Sequence, residues 1–252
     1  MKDVSIIIVY RKSLQDKEDN LKFIVEYYSA NFPNSEIIVV EQDVEEKYNN
    51  IKNTNHIFCY NNGLFNRSWG FNVGLNNCSN EKIIFADIDC YMNVNEMFEA
   101  VRLLNYYNVV KPYNRFCMLD YNSSILVKNN KYVNYNFENI IPTNYGAGIL
   151  LGNKTSILSI GSWPEEFEGW GGEDDAMSIK IKYKLNCVEL NYNLYHLYHE
   201  RNKSVSSNGH SSYNFNRKQA LEIIPRMTKD QLDKYIEEGK QKNVGNIDKY
   251  KN

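Results

Sequence analysis

Residues 82–89 read KIIFADID, and this stretch decides the fold. Lys82 to Ala86 is a short apolar run, which predicts a strand covered on both faces. It passes without a break into Asp87-Ile88-Asp89. Upstream, Val4 to Tyr10 (VSIIIVY) and Glu36 to Val40 (EIIVV) are runs of the same kind, and His56 to Tyr60 is a weaker third strand. Asp16 to Phe32 places Leu21, Ile24, Val25 and Tyr28 at helical spacing before Pro33-Asn34 ends it. Asn66 to Asn77 reads as a second helix, with Trp69, Val73 and Asn76 on related faces. Strands alternating with helices imply an α/β fold, a mixed and mainly parallel sheet flanked by helices in one compact domain.

Downstream, Asn95 to Tyr107 predicts a helix. Val109 to Asn139, rich in Tyr and Asn, reads as hairpins and loops. Gly146 to Leu151 is expected to be a strand, Lys154 to Ile160 a short helix, Glu173 to Leu185 a helix, and Cys187 to Leu190 a strand. Ser204 to Ser212 is polar and contains glycine, so a mobile loop is expected there. Thr228-Lys-Asp-Gln231 is a capping box that opens a terminal helix, Lys229 to Lys240. The last dozen residues read as frayed. The chain divides into residues 1–110, ending in the Asp-Ile-Asp region, 111–215, and a helical extension over 216–252.

Composition narrows the function. In 252 residues, 42% are apolar and 24% charged, so a packed core is affordable and wholesale disorder is excluded. The net charge of -2 gives no overall field for nucleic acid. No apolar run reaches the roughly 20 residues needed to span a bilayer, so any membrane contact is expected to be peripheral. The five cysteines are scattered, with no Cys-x-x-Cys, which argues for free thiols in a reducing, cytoplasmic setting.

Four stretches carry chemistry. Asp87 and Asp89, just past the end of a parallel strand, lie where open α/β sheets bind ligands. Two carboxylates there suit a hard divalent cation, Mg²⁺ or Mn²⁺, bound to diphosphate oxygens; they would equally serve as a turn or capping pair. In Glu168-Gly-Trp-Gly-Gly-Glu-Asp-Asp175, the glycines let backbone approach a ligand and Trp170 can stack on a sugar ring. Glu173, Asp174 and Asp175 open a helix, where the macrodipole favours acids, and one of them could take a proton from a hydroxyl. His196-Leu-Tyr-His199 converges if tightly turned and diverges if extended; imidazole beside carboxylate is compatible with Mn²⁺. Arg67, in FNRSWGFNVG, could hold a diphosphate through its fork of donors or lie on a helix surface, and Arg11 shares that ambiguity.

In order, VYRKS, FNRSWGFNVG, FADID and GWGGEDD followed by YHLYHER resemble glycosyltransferases of the GT-A type. The nearest likeness is to the β-1,4-galactosyltransferase and chondroitin-polymerase-like group, which carries WGGED. The likeness runs from about Val4 to Arg201. It implies an inverting, metal-dependent transfer of a hexose or N-acetylhexosamine from a nucleotide sugar, with UDP-Gal, UDP-GalNAc or UDP-Glc as donors. The acceptor implied is a glycan or lipid-linked glycan, met in the cytoplasm or peripherally on the inner membrane face.

Residue by residue, the resemblance implies Arg11 at the nucleotide, Arg67 near the diphosphate and Asp87 at the ribose and donor. Asp89 and His199 would bind the metal, Mn²⁺ or Mg²⁺, with His196 standing where galactosyltransferases have methionine. Trp170 and Glu173 would contact donor or acceptor sugar, and Asp174 would be the general base. Tyr145, in the aromatic-glycine stretch Asn144 to Gly148, and Asp175 would lie on the acceptor side. Apart from the resemblance, the position of the loop Ser204 to Ser212 just after the histidines predicts that it closes over the donor and orders the acceptor site. Two other classes fit fewer residues. A metal-dependent nucleotidyltransferase would use the Asp-Ile-Asp but not the Trp-Gly-Gly-acid element. A non-catalytic carbohydrate-binding protein would not need acids, histidines and arginine together.

Overall fold

A computed structural model describes residues 4–48, 52–129, 137–141, 143–200 and 211–251. The first half alternates as the sequence implies: β1 (Val4–Tyr10), α1 (Gln15–Asn31), β2 (Glu36–Asp43), β3 (Asn55–Tyr60), α2 (Arg67–Asn77) and β4 (Lys82–Ala86). The apolar runs inside β1, β2 and β4 (Ile6–Val9, Ile37–Val40 and Ile83–Ala86) are uninterrupted because both of their faces are covered. Ile6 and Ile8 pack with Leu21, Ile24, Val25 and Tyr28 of α1, while Ile7 and Val9 point the other way, into the cluster holding Trp69 and Val73 of α2.

Then follow β5 (Cys90–Tyr91), α3 (Val94–Leu103), β6 (Val109–Lys111), β7 (Arg115–Leu119), α4 (Tyr121–Lys128), β8 (Phe137–Ile141), β9 (Ile149–Asn153) and α5 (Lys154–Ser159). The chain continues through α6 (Glu173–Lys184), β10 (Cys187–Glu189), β11 (Asn193–His196), α7 (Ser211–Lys218) and α8 (Lys229–Gln241). Among the described residues, the central sheet has seven strands in the order β10-β6-β9-β4-β1-β2-β3. All its pairs are parallel except those of β9, which runs antiparallel to both β4 and β6. Strands from both sides of residue 110 therefore share one sheet and one domain. A second sheet, β5-β11-β7-β8, sits beyond the carboxyl end of β4.

Several expectations need correction. The stretch 109–139 holds a strand of the main sheet, β6, and the helix α4, capped by the Asp120 side chain accepting from the Ser123 amide at 2.6 Å. The strand expected from Gly146 starts only at Ile149, because Gly146 and Gly148 have φ of 99° and 63° and the chain turns there. The last dozen residues are packed rather than frayed: the Trp69 indole donates to the Asn246 carbonyl at 2.8 Å, and Tyr250 meets the Trp69 ring edge-on at 4.8 Å. Of the loop expected over 204–212, residues 204–210 lie outside the described residues, and Ser211 and Ser212 open α7. The capping box at Thr228 is present in full. Among the described residues no helix is long and apolar enough to cross a membrane.

Glycine sets how closely α2 approaches β1. A Cβ on Gly74 would lie 2.2 Å from Ile7 Cγ2, and one on Gly70 would lie 2.3 Å from Val9 Cγ1. Gly74→Ala should therefore destabilise the protein by about 1–3 kcal/mol through overpacking. Thermal denaturation checks this; an unchanged midpoint would contradict so close a helix–sheet contact.

Candidate active site

The Asp-Ile-Asp turn is pinned from two sides. The Asp87 amide donates to the Gly148 carbonyl at 2.9 Å, and Cys90 pairs antiparallel with His196 of β11. The Leu197 amide then donates to the Asp89 carbonyl at 2.7 Å. His196 ends β11 and the chain leaves the strand there, so the two imidazoles are not forced to opposite faces. Both reach Asp89: His196 Nε2 lies 3.6 Å from Oδ1 and His199 Nε2 lies 3.2 Å from Oδ2. One ligand atom from each of the three residues lies within 4.8 Å of the others.

The protonation of this cluster follows from its contacts. His199 Nδ1 lies 3.0 Å from the Glu200 carbonyl, which can only accept, so Nδ1 carries the proton. Nε2 then faces a carboxylate oxygen with its lone pair, an arrangement that asks for a proton or a cation between them. In the protein alone that need appears as opposite shifts. Burial works against the charged form of Asp89, but the two imidazoles outweigh it and hold its carboxyl well below the usual range. Burial likewise disfavours charged His199, but Asp89 overcomes it and the imidazole is raised.

Arg67, at the first position of α2, binds the other acids. Its Nε donates to Asp87 Oδ1 at 2.7 Å, its Nη2 donates to the Gly146 carbonyl at 2.8 Å, and Nη1 lies 3.6 Å from Glu173 Oε1. The guanidinium lies over the rings of Phe71 and Trp163, 4.6 and 5.3 Å from their centroids. Burial disfavours its charge, yet Asp87, Glu173 and Asp174 more than restore it and its pKa is raised. The acids share the strain. Asp87 is raised by burial in spite of Arg67. Glu173 is pushed up to about 7 by burial and by Asp174. Asp174 is raised by burial and by Asp175.

The glycine loop aims those acids. Gly172, at φ 94°, caps α6, and a Cβ there would lie 2.8 Å from the Phe167 ring. Trp170 is 58% exposed and stacks on Tyr213 of α7 with centroids 5.7 Å apart. Asp175 accepts from the Asn144 side chain.

Two expected residues are placed differently. Tyr145 is 6% exposed in the core, with Lys182 5.6 Å from its ring, so it has no face to offer a sugar. Arg11 spends its donors on backbone, giving to the carbonyls of Gln42, Gly63 and Asn61 at 2.7, 2.8 and 3.2 Å, so its fork fixes the loop after β3. That loop also rests on residues the sequence did not single out. Buried Gln42 donates to the Asn66 carbonyl and accepts from Asn66 and Asn61. Lys111 donates to Thr143 at 2.6 Å and Tyr113 to Ala147, holding the turn whose Gly146 receives Arg67. The one signal in the sequence is a polar residue directly after an apolar run, as in Val40-Glu-Gln42, which continue β2.

Comparison with known proteins bears on the fold. Residues 128–200 match the family model described as the N-terminal domain of galactosyltransferase. No curated protein matches the sequence significantly. Among solved structures, the catalytic domain of Drosophila β-1,4-galactosyltransferase 7 in complex with xylobiose is 17% identical. Its TM-score is 0.55, with 92% of this chain and 84% of that one covered. Residues 1–349 of S. aureus TarS, in complex with UDP-GlcNAc, give 17% identity, a TM-score of 0.56, and coverage of 95% and 71%. GalNAc-T7 with UDP, GalNAc and Mn²⁺ gives 13%, 0.57, and coverage of 98% and 52%. The fold is GT-A, and the chain resembles the galactosyltransferase-like group of GT-A glycosyltransferases.

The raised Glu173 makes a prediction about stability. An unfolded glutamate ionises near its ordinary 4.5, whereas the folded one ionises near 7. Between these values the folded chain holds a proton that the unfolded chain releases. The Glu173 contribution is therefore complete below pH 4.5 and lost as pH rises through 7. Chemical denaturation at several pH values should show Glu173→Gln flattening that slope; an unaltered slope would mean that Glu173 ionises normally.

Proposed function

We propose that the protein is a metal-dependent, inverting glycosyltransferase that moves a hexose or N-acetylhexosamine from a UDP-linked sugar to a hydroxyl of a glycan acceptor. The observation that carries this reading is the bridge made by Arg67, which joins the aspartate after β4 to the acids that open α6. The bridge sets the Asp87–Asp89 turn, whose Asp89 would hold a metal, beside carboxylates that could accept a proton, a pairing that suits metal-assisted single displacement at a sugar carbon. The ligands of similar structures support it: Drosophila β-1,4-galactosyltransferase 7 has been solved with manganese, UDP-Gal and xylobiose, TarS with UDP-GlcNAc, and GalNAc-T7 with UDP, GalNAc and Mn²⁺.

The donor set fits a divalent ion. Asp89, His196 and His199 would hold it, and two imidazoles with one carboxylate suit Mn²⁺ better than Mg²⁺. The alternative cluster of Asp87, Asp89 and Cys90 fits less well, because Asp87 is engaged by Arg67 and burial keeps the Cys90 thiol protonated. When bound, the ion offsets negative charge on the departing diphosphate.

The chain's own residues do the rest. Trp170 offers an exposed indole face for the apolar side of a sugar ring. Asp174 takes the proton of the acceptor hydroxyl at its carboxylate as the oxygen attacks the anomeric carbon opposite the diphosphate, and its raised pKa makes it a better proton acceptor. Glu173, beside Arg67, orients the same sugar. Asp175 lies on the acceptor side with Asn144. Asp87, held by Arg67, faces the donor ribose, and Arg11 shapes the nucleotide pocket through the backbone it fixes. The donor is UDP-Gal, UDP-GalNAc or UDP-Glc, and the acceptor is a glycan or lipid-linked glycan, met in the cytoplasm or peripherally on the inner membrane face.

Two measurements test this. Asp174→Asn should cut turnover about 10²- to 10⁴-fold, the usual cost of losing a general base, with donor affinity retained; near-wild-type turnover would reject the assignment. Asp89→Ala should abolish the gain in UDP-sugar affinity that Mn²⁺ produces in calorimetry. Equal Mn²⁺ dependence in the variant would remove Asp89 from the metal site.

A further inference from the structure

The loop that carries Trp170 has no helix or strand between Gly161 and Gly172. Something other than a backbone ladder must fix it, and the contacts lead to the C-terminus. Val244 to Lys251 forms only turns, yet it is fastened along its length. Asn76 donates to the Val244 carbonyl at 2.8 Å. Gly245, at φ 68°, sits so close to α2 that a Cβ there would be 2.6 Å from the Asn72 carbonyl, and its amide donates to Glu165 Oε1 at 2.6 Å. Lys249 donates to Glu165 Oε2 at 3.0 Å.

Two side chains join this tail to the site. Glu165 accepts from Asn72 of α2 on the oxygen that also receives the Gly245 amide, so both of its carboxylate oxygens depend on the tail. Tyr250 makes the second link. Its hydroxyl donates to Glu168 Oε1 at 2.6 Å and accepts from Asn66 Nδ2 at 3.1 Å. Asn66 caps α2 immediately before Arg67, and Glu168 stands two residues before Trp170. One phenol therefore ties the helix that bears the buried guanidinium to the loop that bears the exposed indole.

We propose that Val244 to Lys251 is a strap that positions the Trp170 loop against α2, and that Tyr250 is its positioning residue. The strap sets the acceptor side of the site. The metal side is separate: the Asp89 cluster is held by β5 and β11, which the strap does not touch in the contacts described. A hydrogen bond to a charged group is worth enough to change local opening by an order of magnitude.

Tyr250→Phe keeps the ring on Trp69 and removes only the hydroxyl. Hydrogen exchange of this variant should show amides of residues 165–172 exchanging about tenfold faster, with β1 and β4 unchanged. Unchanged exchange over 165–172, or equal acceleration throughout the chain, would overturn the strap. In transfer assays, a reading that rests on the proposed function, the variant should raise the acceptor KM about tenfold and leave the Mn²⁺ affinity within twofold. Equal losses of metal and acceptor binding would reduce Tyr250 to a general stabiliser. A wild-type protein that transfers no sugar would sink the functional reading alone, because the exchange data decide the strap without it. Deletion of 244–252 should reproduce the exchange result if it folds, and Tyr250→Phe decides the matter if it does not.

Discussion

One buried guanidinium sets the terms for the rest of the structure. Arg67 is 13% exposed in its side chain, pressed between Phe71 and Trp163, and surrounded by acids from stretches some eighty residues apart in sequence. Removing such a charge from water is costly unless partners compensate it. Asp87 and Glu173 do so, and they in turn are tolerable underground only because Arg67 is there. The turn after β4 and the entry to α6 are therefore obliged to meet. The glycines at 146 and 172, and the helix cap at Asn66, are the local means by which the backbone permits that meeting.

The second half of the site follows from the first. With Asp87 occupied by Arg67, Asp89 is left to the two imidazoles delivered by the end of β11. The two aspartates thus have different environments although they stand two residues apart, and their carboxyls move in opposite directions, Asp87 up and Asp89 down. Separation of roles between adjacent carboxylates is what a reaction needs when one group must stay anionic beside a cation while the others manage protons.

How much of this was legible depended on whether the signal was local. The strands β1, β2 and β4 announce themselves because burial on both faces demands continuous apolar residues, and α6 announces itself because acids follow glycines at a helix start. α4 did not, since its eight residues show only a weak apolar pattern among Asn and Tyr. The resemblance of Asn144 to Gly148 puts Tyr145 on the acceptor side, but nothing in a sequence distinguishes an aromatic turned into the core from one turned out. Arg67 was singled out for its donors, yet the acids and the carbonyl that consume them lie 20 to 106 positions away. The order of the C-terminal tail is likewise non-local, resting on Glu165, Glu168 and α2. The His196–His199 pair was read as convergent only if turned; a strand that ends at its first member supplies the turn.

The most direct test of this account is the stability of Arg67→Met compared with the native chain at pH 7 and at pH 5. If the guanidinium exists to neutralise the buried acids, its loss costs about 3–5 kcal/mol at pH 7. Much of that returns at pH 5, where the stranded carboxyls of Asp87, Glu173 and Asp174 can take up protons. A penalty of the same size at both pH values would show that Arg67 contributes packing rather than charge, and the site would then need another explanation for its assembly.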